Sequence, residues 1–171
     1  MAVNCLWCGT RVHRAPNAGV CVTCGPVVQA ILQECVAKIS RASRSLETSK
    51  TFATRLAAAD SVIDQLEYAV ETFEARQIHA LDPPPSTQIP VALKDRRDLI
   101  TEELSSIWAR AESTAEAPGP KSEGVSAWKK AARDYTAMRA VLSESPNSSA
   151  ADIDEWITRA WTEAGVDVTE S

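Results

Sequence analysis

The chain has 171 residues, of which 44% are apolar and 5% aromatic, and a formal net charge of -5. This apolar content excludes a wholly disordered protein, and the shortage of aromatic residues favours helices over strands. No apolar run is long enough to span a membrane and no signal sequence follows Met1, so we expect a soluble, cytoplasmic protein.

Four cysteines stand in two close pairs near the start of the chain. The spacing is Cys5-x-x-Cys8 and Cys21-x-x-Cys24, and such turns present two sulfurs each to one ion. In a reducing compartment, paired cysteines are more often metal ligands than disulfides. The pattern therefore predicts one structural Zn²⁺ held by all four, in preference to iron or a disulfide. The fifth cysteine, Cys35, is expected to be a buried thiol.

The segments 5–9 (CLWCG) and 21–25 (CVTCG) resemble the zinc-ribbon and treble-clef group of zinc fingers. The resemblance covers about the first 25 residues and implies a closed metal site in a module that binds nucleic acid or a protein surface. Residues 9–20 are long enough for a short β-hairpin with its turn within 15–19. A helix directly after the second pair favours the treble-clef form, although a ribbon remains an alternative.

A helix is predicted from Pro26, because proline suits the first helical position. Apolar residues then recur at spacings of three and four, which indicates one buried stripe. Three basic residues, Lys38, Arg41 and Arg44, fall mostly on the opposite side. The stripe comprises Leu32, Cys35, Ile39, Ala42 and Leu46.

A second apolar pattern runs through residues 52–73 with spacings typical of a coiled coil or a helical hairpin. The polar stretch 48–51 before it is either a turn or a phase shift, so residues 26–80 form one long amphipathic helix or a helical hairpin. We expect this seam to mediate self-association, or to pack on a later helix that contains Leu104 and Trp108. Its residues are Phe52, Leu56, Ile63, Leu66, Val70 and Phe73.

The remainder is predicted as a proline-rich connector over 81–90, a helix over 91–112, a linker over 113–124 and a helical part over 125–165. In that part Ser149 is a candidate N-cap and Gly165 a helix stop. The fold class is mainly α, with an N-terminal four-cysteine zinc module. Buried faces are expected at Trp128, Ala131, Tyr135, Met138 and Leu142, and at Ile153, Trp156, Ile157 and Trp161.

Charge is unevenly distributed along the sequence. Residues 1–57 hold seven basic and two acidic residues, whereas the rest of the chain is acidic. A zinc ion with four thiolates carries a net charge of about -2, which reduces this excess without removing it. The leading hypothesis is contact with a nucleic-acid backbone, although charged helix faces are often merely solvated. The candidate residues are Arg11, Arg14, Lys38, Arg41 and Arg44.

The competing hypothesis is a protein-interaction adaptor with a purely structural zinc site. Trp7, at the tip of the first cysteine turn, is either presented to a partner or packed on the following helices. An enzyme is not expected: the chain has two histidines, no glycine-rich phosphate loop and no nucleophile motif, so no small-molecule substrate is indicated.

Overall fold

The computed structural model describes residues 2–15, 19–144 and 151–166, without the side chains of residues 151 and 152. It divides into two compact units, Met1–Arg96 (unit 1) and Arg97–Ser171 (unit 2). The prediction of a mainly helical chain with a short N-terminal hairpin is confirmed. The elements are β1 (Val3–Asn4), β2 (Arg11–Val12), α1 (Gly25–Thr48), α2 (Phe52–Thr72), a 3₁₀ turn (Glu74–Arg76), α3 (Pro85–Glu116), α4 (Lys121–Ser143) and α5 (Ala151–Glu163).

The β-hairpin lies earlier in the chain than the sequence suggested. Its strands are antiparallel, with Val3 opposite Val12, so the first cysteine pair is itself inside the hairpin turn. The predicted turn within 15–19 does not join these strands, and residues 16–18 lie outside the described chain. The physical reason is that the Cys-x-x-Cys turn already reverses the backbone, and Gly9 completes the reversal at a φ of 72°.

Helices α1 and α2 form an antiparallel pair, which resolves the alternative left open at residues 48–51. Beyond Thr48 the backbone becomes extended at Ser49, and the hydroxyl of Thr51 then caps α2 by accepting from the N–H of Thr54 at 3.3 Å. The two helices pack against each other. The polar interruption is therefore a turn, and residues 26–72 are a helical hairpin.

The predicted seam is the buried face of α2. Leu56, Ile63 and Leu66 are buried, as is Phe73 just beyond the helix. On α1, Cys35 is also buried, and its thiol donates to the carbonyl of Gln65 at 3.6 Å. The seam is therefore closed by α1 of the same chain, because hydrophobic side chains on one face of each helix meet.

Helix α3 starts earlier and ends later than expected. The connector predicted over 81–90 is helical from Pro85, where the absent N–H is not needed, and the carbonyl of Pro84 accepts from the N–H of Thr87 at 3.0 Å. Pro90 is accommodated within the second turn of the helix. The linker predicted over 113–124 is likewise reduced to the four residues 117–120 between α3 and α4.

A buried ion pair ties the first part of α3 to α2 within unit 1. Arg96 is only 5% exposed, and its Nε donates to Oδ1 of Asp60 at 2.6 Å. A charge so deeply buried requires a hydrogen-bonded partner. The pair therefore holds the first part of α3 against α2 at Asp60.

Unit 2 is a tryptophan-rich helical core. The rings of Trp108 and Trp128 lie 4.6 Å apart between centroids, and Trp156 meets Trp108 edge-on at 5.6 Å. Tyr135 is fully buried, donates to the carbonyl of Leu104 at 3.0 Å, and has its pKa raised to about 12 by burial. The face predicted on α4 is buried as expected, whereas of the residues predicted on α5 only Ile153 is buried and Trp156, Ile157 and Trp161 are half-buried. Ser149 lies outside the described residues.

Gly165 stops α5 at a φ of 73°, as expected. Within the described ranges, none of the helices combines the length and the apolar character that crossing a membrane requires.

Shortening a seam side chain should destabilise unit 1. Ile63 is fully buried, so we expect Ile63→Ala to lower the free energy of unfolding by about 2 to 5 kcal/mol, because it leaves a cavity between α1 and α2. The matched control is Val36→Ala on the exposed side of α1. This substitution should change the free energy of unfolding by less than about 0.5 kcal/mol. Equal effects in urea unfolding would contradict the hairpin packing.

Candidate metal centre

The first cysteine turn is shaped by backbone hydrogen bonds. The N–H of Cys5 donates to the carbonyl of Thr10 at 2.9 Å, and the N–H of Gly9 donates back to the carbonyl of Cys5 at 2.8 Å. This tight loop turns the chain between β1 and β2 and leaves Cys5 buried and Cys8 exposed. Both sulfurs thus lie on the inside of one turn.

The second cysteine turn leads straight into α1. The N–H of Gly25 donates to the carbonyl of Cys21 at 2.9 Å, and Cys24 is the N-cap residue of the helix. Two hydrogen bonds hold this turn against the first: the N–H of Leu6 donates to the carbonyl of Gly19 at 3.0 Å, and the N–H of Cys21 donates to Sγ of Cys5 at 3.3 Å.

These turns bring the four sulfurs into one cluster. The Sγ atoms of Cys5, Cys8, Cys21 and Cys24 all lie within 4.8 Å of one another. A zinc ion with Zn–S bonds of about 2.3 Å needs sulfurs about 3.8 Å apart at the corners of a tetrahedron. The cluster is therefore the right size to hold one metal ion, with a small contraction, and four thiolates are the donor set that zinc accepts.

The pKa values of the sulfurs show which thiols ionise readily. Backbone hydrogen bonds from Cys8 and then from Cys21 lower the pKa of Cys5 to about 6, against an opposing effect of burial. Hydrogen bonds from the Thr10 hydroxyl and N–H lower the pKa of Cys8. The adjacent Cys21 sulfur, then burial, then the Cys8 sulfur raise the pKa of Cys24 to about 12.

This contrast has a simple cause. Donors stabilise the thiolates of Cys5 and Cys8, whereas the hydrogen bond to the Cys21 sulfur, then burial and finally the nearby negative charge penalise ionisation of Cys24. A divalent cation at the centre reverses that penalty, because each sulfur is then attracted to it. The electrostatics of the cluster accordingly fit a metal ion.

The cluster is not a separate module, since it shares its hydrophobic core with the helical hairpin. Buried Cys5, Cys21 and Val20 belong to the same cluster of side chains as Phe73 and Ile78. The cysteine turns are thus packed on α1, on the end of α2 and on the segment that follows the 3₁₀ turn. A ligand that fixes the positions of the four sulfurs would therefore also stabilise the end of the hairpin where α1 begins and α2 ends.

The sequence left open whether Trp7 is presented to a partner or packed on the following helices, and the structure shows that it is packed. Its ring lies 6.4 Å from that of Phe73, and the guanidinium of Arg76 lies 5.2 Å from its centroid. Arg76 is held in turn by the carbonyls of Glu71 and Thr72 at 3.0 and 2.8 Å. The tip of the first cysteine turn is therefore anchored to the end of α2.

The predicted basic residues are all exposed, but the structure places them in two groups. Arg11 and Arg14 lie on or just after β2, within the cysteine region. Arg41 and Arg44 lie near the other end of α1, about 25 to 30 Å from its start by helical rise. Lys38 and Arg41 line a cleft between the two helices, here called the α1–α2 cleft.

The residues predicted for self-association are mostly enclosed by the chain itself. Leu56, Ile63, Leu66 and Phe73 are buried, and Phe52 and Val70 are half-buried. While the hairpin is closed, the buried side chains cannot reach a second copy. Self-association stays a prediction, and it would have to use other surfaces of the folded chain.

Several residues that shape these sites were not predicted from the sequence. Thr10 donates to Cys8, Arg76 covers Trp7, and Thr54 and Ser61 complete the α1–α2 cleft. The spacing of Thr54, Ala57, Ala58 and Ser61 marks a polar and small stripe along α2, which was a detectable signal. Arg76 and Thr10 carried no comparable pattern.

Comparison with protein-family models, with curated proteins and with solved structures gave no match to this chain. A function is therefore inferred from the four cysteines and the exposed basic residues of this chain.

Proposed function

We propose that this chain is a non-enzymatic zinc-binding protein that contacts the backbone of a nucleic acid through exposed arginines of unit 1. The observation that carries the proposal is a set of cations without acidic partners. Arg11, Arg14, Arg41 and Arg44 are exposed, and none forms an ion pair within the residues the structure describes.

The metal in this proposal is zinc, and its role is structural. Four thiolates complete a tetrahedral shell and leave no position for water or substrate, in contrast to catalytic zinc sites. The sulfurs also belong to the core of the hairpin, so metal binding contributes to folding. The first cysteine turn lies within a β-hairpin and the second lies at the start of a helix. This order favours treble-clef-like geometry over a ribbon.

Phosphate is the natural partner of such arginines. A guanidinium donates two parallel hydrogen bonds to phosphate oxygens, and each such pairing also gains by releasing counterions. Two basic groups at opposite ends of α1 suit an extended polyanion better than a small ligand. The acidic unit 2 would repel a long duplex, so binding is confined to unit 1.

Zinc binding can be tested with one exposed ligand. Cys8 is exposed, so Cys8→Ser removes no buried side chain, and it should reduce bound zinc well below one equivalent because a neutral hydroxyl replaces a thiolate. Metal content by mass spectrometry is the direct measurement. The total tryptophan fluorescence should change in parallel, because Trp7, one of five tryptophans, lies on the turn that the metal would order.

The matched control is Cys35→Ser, which replaces a buried cysteine outside the cluster and keeps a donor for the carbonyl of Gln65. It should retain one zinc per chain. Full zinc retention by Cys8→Ser, or its loss from both variants, would count against a site made of these four sulfurs.

Nucleic-acid binding can be tested by charge reversal. Arg41→Glu combined with Arg44→Glu should weaken binding to a labelled oligonucleotide by tenfold or more at low salt. The slope of log affinity against log salt should also become shallower by about 0.7 to 0.9 for each phosphate that the variant no longer binds. Fluorescence anisotropy over a salt series measures both.

Lys129→Glu with Arg133→Glu is the control for net charge, because these residues are exposed on α4 in unit 2. It should bind nearly as the wild type does. No binding by the wild-type chain at low salt, or equally weakened binding in both double variants, would overturn the proposal.

A second candidate function, a protein-interaction adaptor, is favoured by one feature of unit 1. A groove of about 650 Å³ lies beside the second cysteine turn, lined mainly by apolar residues that include Val20, Val28 and Ile78. Val22 at its edge is 71% exposed. An apolar surface of this kind is typical of protein docking sites.

The two functions differ in what the chain retains when it is purified without nuclease. If the chain is an adaptor, the purified wild type should retain one stoichiometric protein partner and show a low ratio of absorbance at 260 to 280 nm. The Val22→Asp variant should lack that partner. Nucleic-acid binding predicts a high ratio that Val22→Asp does not change. Retained nucleic acid without a protein partner would remove the adaptor from consideration.

A further inference from the structure

The α1–α2 cleft combines basic, hydroxyl and small side chains. Its volume is about 430 Å³, and it lies between the second half of α1 and the first turns of α2. The alanines at positions 42, 57 and 58 line it with small side chains, which leaves space between two closely packed helices. Its polar residues are Lys38, Arg41, Ser45, Thr54 and Ser61, and no acidic residue is among the described residues lining it.

We propose that this cleft is a binding site for phosphate groups, occupied by phosphodiesters of a nucleic-acid backbone. The inference rests on the proposed function and specifies the surface that performs it. Two cations and three hydroxyls around a small cavity match the charge and the hydrogen-bonding needs of a phosphate, which accepts several bonds at once.

Arg41 is arranged to bind an anion. Its Nε donates to the carbonyl of Ala37 at 3.3 Å, one turn earlier on α1. This bond orients the guanidinium along the helix and leaves its terminal nitrogens to donate to a phosphate as a fork.

Lys38 is paired with Glu34 at 3.0 Å, but both side chains are largely exposed. Such surface pairs are weak, so a phosphate can take the place of the carboxylate.

The hydroxyls lie on both helices. Oγ of Ser45 is 3.2 Å from that of Ser49, and Oγ1 of Thr54 is 2.7 Å from that of Thr51. Hydroxyls rotate at little cost, so Ser45 or Thr54 can turn its proton toward an anion while its neighbour donates to the oxygen that is left free to accept. They add further directional donors to the guanidinium of Arg41.

Helix dipoles do not explain the attraction. The positive end of α2 and the negative end of α1 both lie near the turn at residues 49–51, and their fields largely offset one another. The attraction therefore comes from the two cations. Among the described residues that line the cleft none is aromatic, so bases have no ring to stack on and recognition is of the backbone, independent of sequence.

The test fills the cleft without changing its charge. Ala57 is exposed within the cleft, so Ala57→Leu should be tolerated and should block entry. We expect its affinity for a labelled thymidine oligonucleotide of about 20 residues to fall roughly tenfold at about 50 mM salt. The control is Ala30→Leu, at an exposed position of α1 outside the cleft, which should bind as the wild type does.

The outcomes separate this inference from the proposed function. If the wild type binds and Ala57→Leu binds equally well, the cleft is not the site, although nucleic-acid binding stands. If the wild type does not bind the oligonucleotide, the proposed function fails. Titration with inorganic pyrophosphate, followed by NMR of the Arg41, Ser45 and Ser61 amides, then decides whether the cleft takes free phosphate. No shift of these amides with either probe would overturn the cleft as a phosphate site.

Discussion

Four sulfurs held within 4.8 Å of one another are the constraint on which unit 1 depends. The hydrogen bond to the Cys21 sulfur, burial and, last, charge repulsion from the neighbouring sulfurs raise the pKa of Cys24, while hydrogen-bond donors lower the pKa values of Cys5 and Cys8. A metal ion turns this repulsion into attraction. Because Cys5 and Cys21 are buried in the same core as Phe73, a metal ion bound by these sulfurs would stabilise the helical hairpin as well as the cysteine turns.

The hairpin in turn determines where charge is displayed. Cys24 caps α1, so the helix begins at the metal centre and extends away from it for 24 residues. Its buried stripe is covered by α2, and the second half of the helix carries Lys38 and Arg41 beside that contact and the exposed Arg44. A rigid element stabilised at its start by sulfur and along its length by apolar packing thus presents cations far from the negatively charged cluster, where that cluster weakens them least.

Local signals in the sequence predicted much of this structure. The cysteine spacing, Pro26 at the start of α1, the apolar periods of α1 and α2 and the stop at Gly165 each depend on neighbouring residues, and each is confirmed. The partner of the seam could not be predicted, because periodicity shows which face is buried but not what covers it. The extent of α3 was missed because prolines at 85 and 90 suggested a connector, whereas Pro85 stands in the first turn, where its missing N–H is not needed, and Pro90 lies inside the helix. The cleft was missed because its residues come from two helices.

Three arginines that serve the fold contrast with the four that are proposed to bind a nucleic acid, and this contrast supports a surface role for the four. Arg96 is buried on Asp60, Arg76 covers Trp7, and Arg159 lies 4.7 Å from the ring centroid of Trp108. In each of these three residues, the guanidinium packs within the fold against a carboxylate or the face of an aromatic ring. Across the described ranges, Arg11, Arg14, Arg41 and Arg44 form no such pairing, so packing does not account for their presence. An acidic protein that keeps four exposed arginines in its N-terminal unit, two of them near a cleft lined with hydroxyls, has the charge distribution expected of a polyanion-binding surface.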